Sequence, residues 1–205
     1  MKKKGMIIIV SAPSGAGKTS ICDALIESDK NIVYSVSTTT REPRKGEKNG
    51  KEYYFVNDSD FKKMVKKKMF VEWAKVHDHF YGTSKKVLDQ TINKGKDILL
   101  DIDVQGAFKI KKQYKNALMI FITTPTLKVL KERLIKRNKD SLEVIKTRVE
   151  NAKRELTYLP KYDYLILNDK LDESIKQAKS IICAERLSIK RNKNLEDLSY
   201  SLVFL

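Results

Sequence analysis

The chain has 205 residues, 41% hydrophobic and 33% charged, a composition that suits one soluble globular domain with a sizeable core and excludes a disordered or fibrous chain. The formal charge of +16 raises the question of nucleic acid. The excess, however, is lysine spread along the whole chain without a DNA- or RNA-binding motif, so a solvated basic surface and no nucleic-acid partner are expected.

No apolar run approaches the ~20 residues of a transmembrane helix, and the apolar stretch at 6–10 is too short for a signal-peptide core. No membrane contact and a cytoplasmic location are therefore expected. Cys22 and Cys183 are far apart and form no CxxC pair, and His77 and His79 lack ligand spacing to other His or Cys. They predict reduced thiols and no zinc site.

In chain order, Ile7 to Val10 reads as a β-branched strand, followed by a small-residue loop and a helical pattern from Lys18 to Ser28. Ile32 to Val36 is a second strand candidate. Thr38 to Lys51 is polar, with Pro43, Gly46 and Gly50, and reads as an irregular loop. Tyr53 to Val56 is a short strand, and Asn57 or Asp58 caps a helix carrying Phe61, Met64 and Val65 on one face. Phe70 to Val76 and Phe80 to Tyr81 look extended, and Thr83 or Ser84 begins another helix. Lys96 to Ile102 and Ala117 to Thr123 are buried strands. A helical pattern from Thr126 breaks near Asn138 to Ser141 and resumes to about Leu159. Asp163 to Leu167 is the last strand, and Asp172 to about Ile189 the last helix. Strands alternating with helices predict an α/β fold with a parallel sheet flanked by helices.

The segment Ser11-Ala12-Pro13-Ser14-Gly15-Ala16-Gly17-Lys18-Thr19 fits the phosphate-binding loop GxxxxGK[ST], with Ala12 in place of the first glycine. Gly15 and Gly17 let backbone N–H groups turn inward to cradle phosphate oxygens, and the helix that follows adds its positive end. Lys18 reaches the outer phosphates, and the Thr19 hydroxyl suits Mg²⁺. A P-loop NTPase-type core binding ATP follows. Five of the eight arginines, Arg41, Arg44, Arg133, Arg137 and Arg148, fall in two segments, where planar forks suit phosphate better than lysine does. These features alone leave the phosphoryl acceptor open among nucleotides and sugar phosphates.

The P-loop together with STTTREPRKGEKNGKEYYFV, FVEWAKV, YGTS and LLDIDVQG, in this order and spacing, resembles guanylate kinases from residue 6 to about 190. The resemblance implies Mg²⁺-dependent transfer of the ATP γ-phosphoryl group to GMP, with dGMP a possible alternative acceptor. By position it implies that Arg41, Arg44, Tyr53 and Tyr81 clamp the GMP phosphate, and that Ser37, Glu72, Thr83 and Asp103 read guanine. A carboxylate such as Glu72 accepts guanine N1–H and the exocyclic amine together, whereas adenine offers it a lone pair at N1. Hydroxyls of Ser37 and Thr83 suit guanine O6.

Arg133, Arg137 and Arg148 correspond to lid arginines on the transferring phosphates, although Asn138 stands where the family usually has glycine. Asp101 corresponds to the acid that assists Mg²⁺ with Thr19, and Asn168 to a position near the adenine. Because a phosphate monoester is largely a dianion at neutral pH, no general base is needed; Lys18, Arg41, Arg133, Arg137 and Arg148 are the expected catalytic cations.

The expected organisation is a single domain with its core at 1–36, 82–134 and 150–190. A GMP-binding insertion with its own short strands covers 37–81, a helical lid about 135–149, and a tail 191–205. The segments 37–81 and 135–150 are expected to move so that both substrates assemble away from water. Related domains also serve as non-catalytic peptide-binding modules, but those usually lack an intact P-loop. Leu195, Leu198, Tyr200 and Phe204 in the tail suggest a possible homo-oligomer.

Overall fold

A computed structural model describes residues 4–76, 78–136 and 141–191. Arg137, His77 and the tail residues 192–205, including the apolar set expected to self-associate, lie outside the described residues.

The main sheet has five parallel strands: β1 (Ile7–Ser11), β2 (Ile32–Tyr34), β7 (Asp97–Asp101), β8 (Leu118–Thr123) and β9 (Tyr164–Leu167), in the order β2-β7-β1-β8-β9. The sequence order of β1 and β8, nearly continuous Ile, Val, Leu and Met, is explained by burial on both faces. Alternate residues feed two cores. Ile8, Val10, Leu99 and Ile120 pack with α1 (Lys18–Ser28), α5 (Leu127–Lys136), α6 (Leu142–Leu156) and α7 (Leu171–Leu187); Ile7, Ile9, Ile98, Leu100 and Met119 pack with α3 (Lys85–Asn93) and α4 (Val104–Gln113). This is the α/β fold of P-loop NTPase type, with helices on both faces of a parallel sheet.

A second sheet of four strands has the order β4-β3-β6-β5, from β3 (Ser37–Thr39), β4 (Tyr53–Phe55), β5 (Phe70–Val76) and β6 (His79–Ser84). One face is covered by α2 (Asp58–Lys66), whose Phe61 stacks on Phe70 at 4.7 Å and on Phe80 at 5.4 Å between ring centroids. Asn57 caps that helix by accepting from Asp60 N–H at 2.8 Å.

One expectation is corrected. The stretch read as loop from Thr38 contains β3, whose three residues lack apolar alternation and are extended because β4 and β6 flank them. Of the two helix starts expected, Ser84 caps α3, as read, while Thr83 lies in β6. Helix α4 went unread, since Gly106 and its lysines dilute the apolar stripe, while Asp103 caps it by accepting from Gln105 N–H and Gly106 N–H.

Candidate active site

The loop between β1 and α1 is shaped by two left-handed glycines, Gly15 at φ 94° and Gly17 at φ 91°, a region that side-chain-bearing residues rarely enter. Ala16 N–H closes the turn on the Pro13 carbonyl at 3.1 Å. Both glycines are also hemmed in. A Cβ on Gly15 would lie 3.0 Å from Leu134 of α5, and one on Gly17 2.2 Å from Asn168 Nδ2. Asn168 is buried beneath the loop: its Nδ2 donates to the Ala16 carbonyl at 2.7 Å, and its Oδ1 accepts from Ser174 at 3.0 Å. Its side chain therefore braces the P-loop, while the residue also lines a cavity of about 310 Å³ with Gly15, Gly17, Ser20, Arg133 and Leu171.

Lys18, in the first turn of α1, is ion-paired with Asp101 at the end of β7. Burial works to lower the Lys18 pKa, but Asp101 outweighs it and the net direction is upward. Thr19 is exposed beside it. A hydroxyl and a carboxylate at the head of the P-loop helix are hard oxygen donors of the kind Mg²⁺ takes alongside nucleotide phosphates. Glu155 of α6, which the sequence reading did not single out, joins this cluster. Burial pushes its carboxyl up to about 7, Lys18 draws it down, and Asp103 raises it again.

The helices expected to form the lid already reach the P-loop. Arg148 Nη1 donates to Ser14 Oγ at 2.7 Å, whereas Arg133 Nη2 turns to the Asp169 carbonyl at 2.9 Å. Ser14 and Pro13 complete the loop's outer rim and inner wall, the first exposed and the second buried. Ala12 is half-buried and packs against the core where a first glycine was expected.

The second sheet gathers residues that are far apart in sequence. Ser37 pairs with Tyr53, and Glu72 with Thr83. Extending the Thr38–Gly82 and Thr39–Tyr81 register by one residue sets Ser37 beside Thr83. Tyr53, Ser37, Thr83 and Glu72 thus form one row across all four strands, and Tyr81 shares the face of Thr83, two residues along β6. Thr83 Oγ1 donates to Glu72 Oε1 at 2.7 Å. Burial raises the Glu72 pKa; the Thr83 bond opposes it and Asp103 reinforces it.

At the other end of the row, the Arg41 guanidinium lies 5.3 Å from the Tyr53 ring centroid and 5.8 Å from that of Phe55, with the Tyr81 hydroxyl beside it. Tyr53 and Tyr81 meet edge to face at 5.9 Å. Arg44 is exposed on the rim. The Tyr53 phenol is raised mainly by burial, then by Tyr81 and Asp101, and lowered by Arg41 and Lys18. It therefore lies in the field of both the small-sheet clamp and the P-loop pair. Asp103 spends its carboxylate oxygens on capping α4. Beneath it, a Cβ on Gly106 would lie 3.1 Å from both Asp103 Oδ1 and Glu72 Oε2, so this glycine lets α4 approach the buried acid. The role of Gly106 is set by this packing and by no local sequence signal.

The guanylate kinase family model matches residues 4–185. The chain is 44% identical to a guanylate kinase of Caldanaerobacter subterraneus subsp. tengcongensis over 95% of each chain. It is 47% identical to one of Rickettsia bellii, over 90% of this chain and 97% of the relative. The crystal structure of a guanylate kinase from Anaplasma phagocytophilum superposes with a TM-score of 0.81 at 35% identity, covering 98% of this chain and 96% of the other.

Proposed function

The chain belongs to the guanylate kinase family and is an ATP:GMP phosphotransferase, and from that premise we propose how its own residues divide the work. The P-loop from Ala12 to Thr19 holds the ATP phosphates through inward N–H groups and the helix N-terminus. Lys18 exchanges Asp101 for the β- and γ-phosphate oxygens when nucleotide arrives. Thr19 and Asp101 would hold Mg²⁺, which would supply charge neutralisation to the nucleotide phosphates. Asn168 acts through the loop, keeping the Ala16 carbonyl and hence the cradle in place.

On the acceptor side, Glu72 accepts guanine N1–H and the exocyclic amine, with its rotamer held by Thr83. Ser37, its neighbour in the row, supplies a donor for O6. Arg41, Arg44, Tyr53 and Tyr81 hold the GMP phosphate so that one of its oxygens faces the γ-phosphorus in line. The acceptor is already a dianion, so the protein supplies alignment and positive charge and removes no proton. Arg133, Arg137 and Arg148 add charge over the transferring group when the lid segment 135–149 closes on the core, excluding water that would otherwise take the phosphoryl group. Both nucleotides are soluble metabolites, which fits a cytoplasmic enzyme.

The observation that carries this reading is the row Tyr53, Ser37, Thr83, Glu72, with a buried carboxylate at one end and the Arg41 clamp at the other. The test is ADP formation from Mg·ATP with GMP, AMP, CMP, UMP and dTMP, for the wild type and Glu72→Gln. Turnover with GMP alone, weakened in the variant, supports it. An unchanged preference in Glu72→Gln removes Glu72 as the reader.

A further inference from the structure

Arg41 owes its orientation to an acid that the mechanism above does not use. Its Nη2 donates to both carboxylate oxygens of Glu47 at 2.9 Å, and its Nη1 donates to the Glu42 carbonyl at 2.7 Å. The Tyr81 hydroxyl also hydrogen-bonds the Arg41 side chain. An ion pair on an open surface would fix little, but these two side chains are only 13% and 19% exposed.

Glu47 is itself held independently of any substrate. Its Oε2 accepts from Arg44 N–H at 2.8 Å, while its own N–H donates to the Arg44 carbonyl at 3.0 Å. Residues 44–47 form a closed turn with the carboxylate folded back inside it, and Gly46 at φ 92° supplies the left-handed residue the turn requires. The Arg44 N–H, and then Arg41, hold the Glu47 carboxyl below the usual range, so it is ionised wherever GMP is a dianion. An incoming phosphate would have to break the Arg41 contacts and the turn bond together to take this carboxylate's place.

We propose that Glu47 is a positioning residue of the acceptor site: by holding Nη2 against both of its carboxylate oxygens it orients the Arg41 guanidinium toward the GMP phosphate without touching the substrate. The inference rests on the reading of Arg41 as the phosphate clamp. Tyr53 and Phe55 flank the guanidinium at 5.3 Å and 5.8 Å, and Glu47 anchors its Nη2.

The test is steady-state kinetics with GMP varied at saturating Mg·ATP, for Glu47→Gln, Arg41→Met and the double variant. Gln keeps an oxygen for Arg44 N–H, so the turn survives, but it places an amine donor against the guanidinium. The expected result is a KM for GMP raised about tenfold, with kcat changed less than about twofold, the pattern of a weakened charge-assisted contact made equally in ground and transition states. In the Arg41→Met background Glu47→Gln is expected to add nothing, because the group it positions is gone. If Arg41→Met leaves the KM for GMP unchanged, the clamp reading fails and the inference with it. If Arg41→Met raises KM but Glu47→Gln leaves it unchanged or lowers it, or if the two effects multiply, the clamp stands and the positioning role is overturned. Should the Gln variant not fold, Glu47→Asp replaces it: its shorter reach is expected to raise the KM for GMP several-fold, and an unchanged value overturns the proposal.

Discussion

Glu72 and Thr83 face each other across β5 and β6, and the threonine hydroxyl donates to the buried carboxylate at 2.7 Å. Eleven positions apart in sequence, the two act as one unit: the hydroxyl restricts the rotation of the buried acid. A side chain ordered in advance leaves less entropy to be lost on binding. Thr83→Val keeps the shape and deletes the donor. It is expected to raise the KM for GMP several-fold with little change in the KM for ATP, measured with each substrate varied in turn.

The same acid sets a pH dependence. Burial raises the Glu72 pKa, and only the ionised form accepts two N–H groups. As pH falls through that raised value, still above the ordinary carboxylate range, kcat/KM for GMP is expected to drop while the KM for ATP holds. Glu72→Gln is expected to lose this contribution, leaving the acid limb that the GMP phosphate itself sets at about 6. A profile of the variant parallel to that of the wild type would show that another group titrates.

Glu155 yields a stability prediction of definite sign. Its carboxyl is pushed up to about 7, mainly by burial, so between about 4.5 and 7 the folded state binds more protons than the unfolded one. Its favourable contribution is full below the ordinary carboxylate range and lost as pH rises through about 7. The neutral Glu155→Gln variant is therefore expected to match the wild type in Tm near pH 5 and to exceed it near pH 8. A difference that does not grow with pH would contradict the assignment.

Asn168 joins the P-loop to the end of β9 and to α7. Asn168→Ala leaves the Ala16 carbonyl and the Ser174 hydroxyl short of one partner each, a loss of about 1–3 kcal/mol by the usual cost of unsatisfied buried groups. Asn168→Asp sets a carboxylate oxygen against that carbonyl and is expected to be worse. Chemical denaturation reads the stability, and the KM for ATP is expected to rise in both variants because the cradle loosens.

Arg186 offers a contrast at the opposite end of the sheet. It binds Asp97 through Nε and Nη2 at 2.7 Å each and Asp29 through Nη1 at 2.7 Å, while Asp97 also accepts from Met6 N–H at 2.7 Å. Arg186→Met leaves the nearly buried Asp97 with only the backbone donor. A stability loss of about 3 kcal/mol is expected, the lower end for breaking a buried pair, since the arginine is partly exposed. Turnover below the melting range should not change.

The P-loop, the central strands and most helices were legible because their signals are local. Gly15, Gly17, Lys18 and Thr19 act within one turn of chain, and β1, β7 and β8 reveal themselves by continuous apolar runs. Helix α4 was not legible, because its cap Asp103 and its glycine belong to an approach to Glu72 that no periodicity encodes. Strand β3 escaped because three polar residues become a strand only between two partners.

By itself the sequence determined the chemistry available: a phosphate cradle, a set of arginines, an acid and hydroxyls suited to guanine, and a strand-helix order that admits one fold class. The tertiary structure decided which of these groups meet. Strand register set Ser37, Tyr53, Glu72 and Thr83 in one row, and packing turned Asn168 onto the Ala16 carbonyl. It also fixed a Glu47 turn against Arg41. Side-chain types are local properties, whereas hydrogen-bond partners and burial depend on contacts between segments distant in the chain, which exist only once both cores have closed.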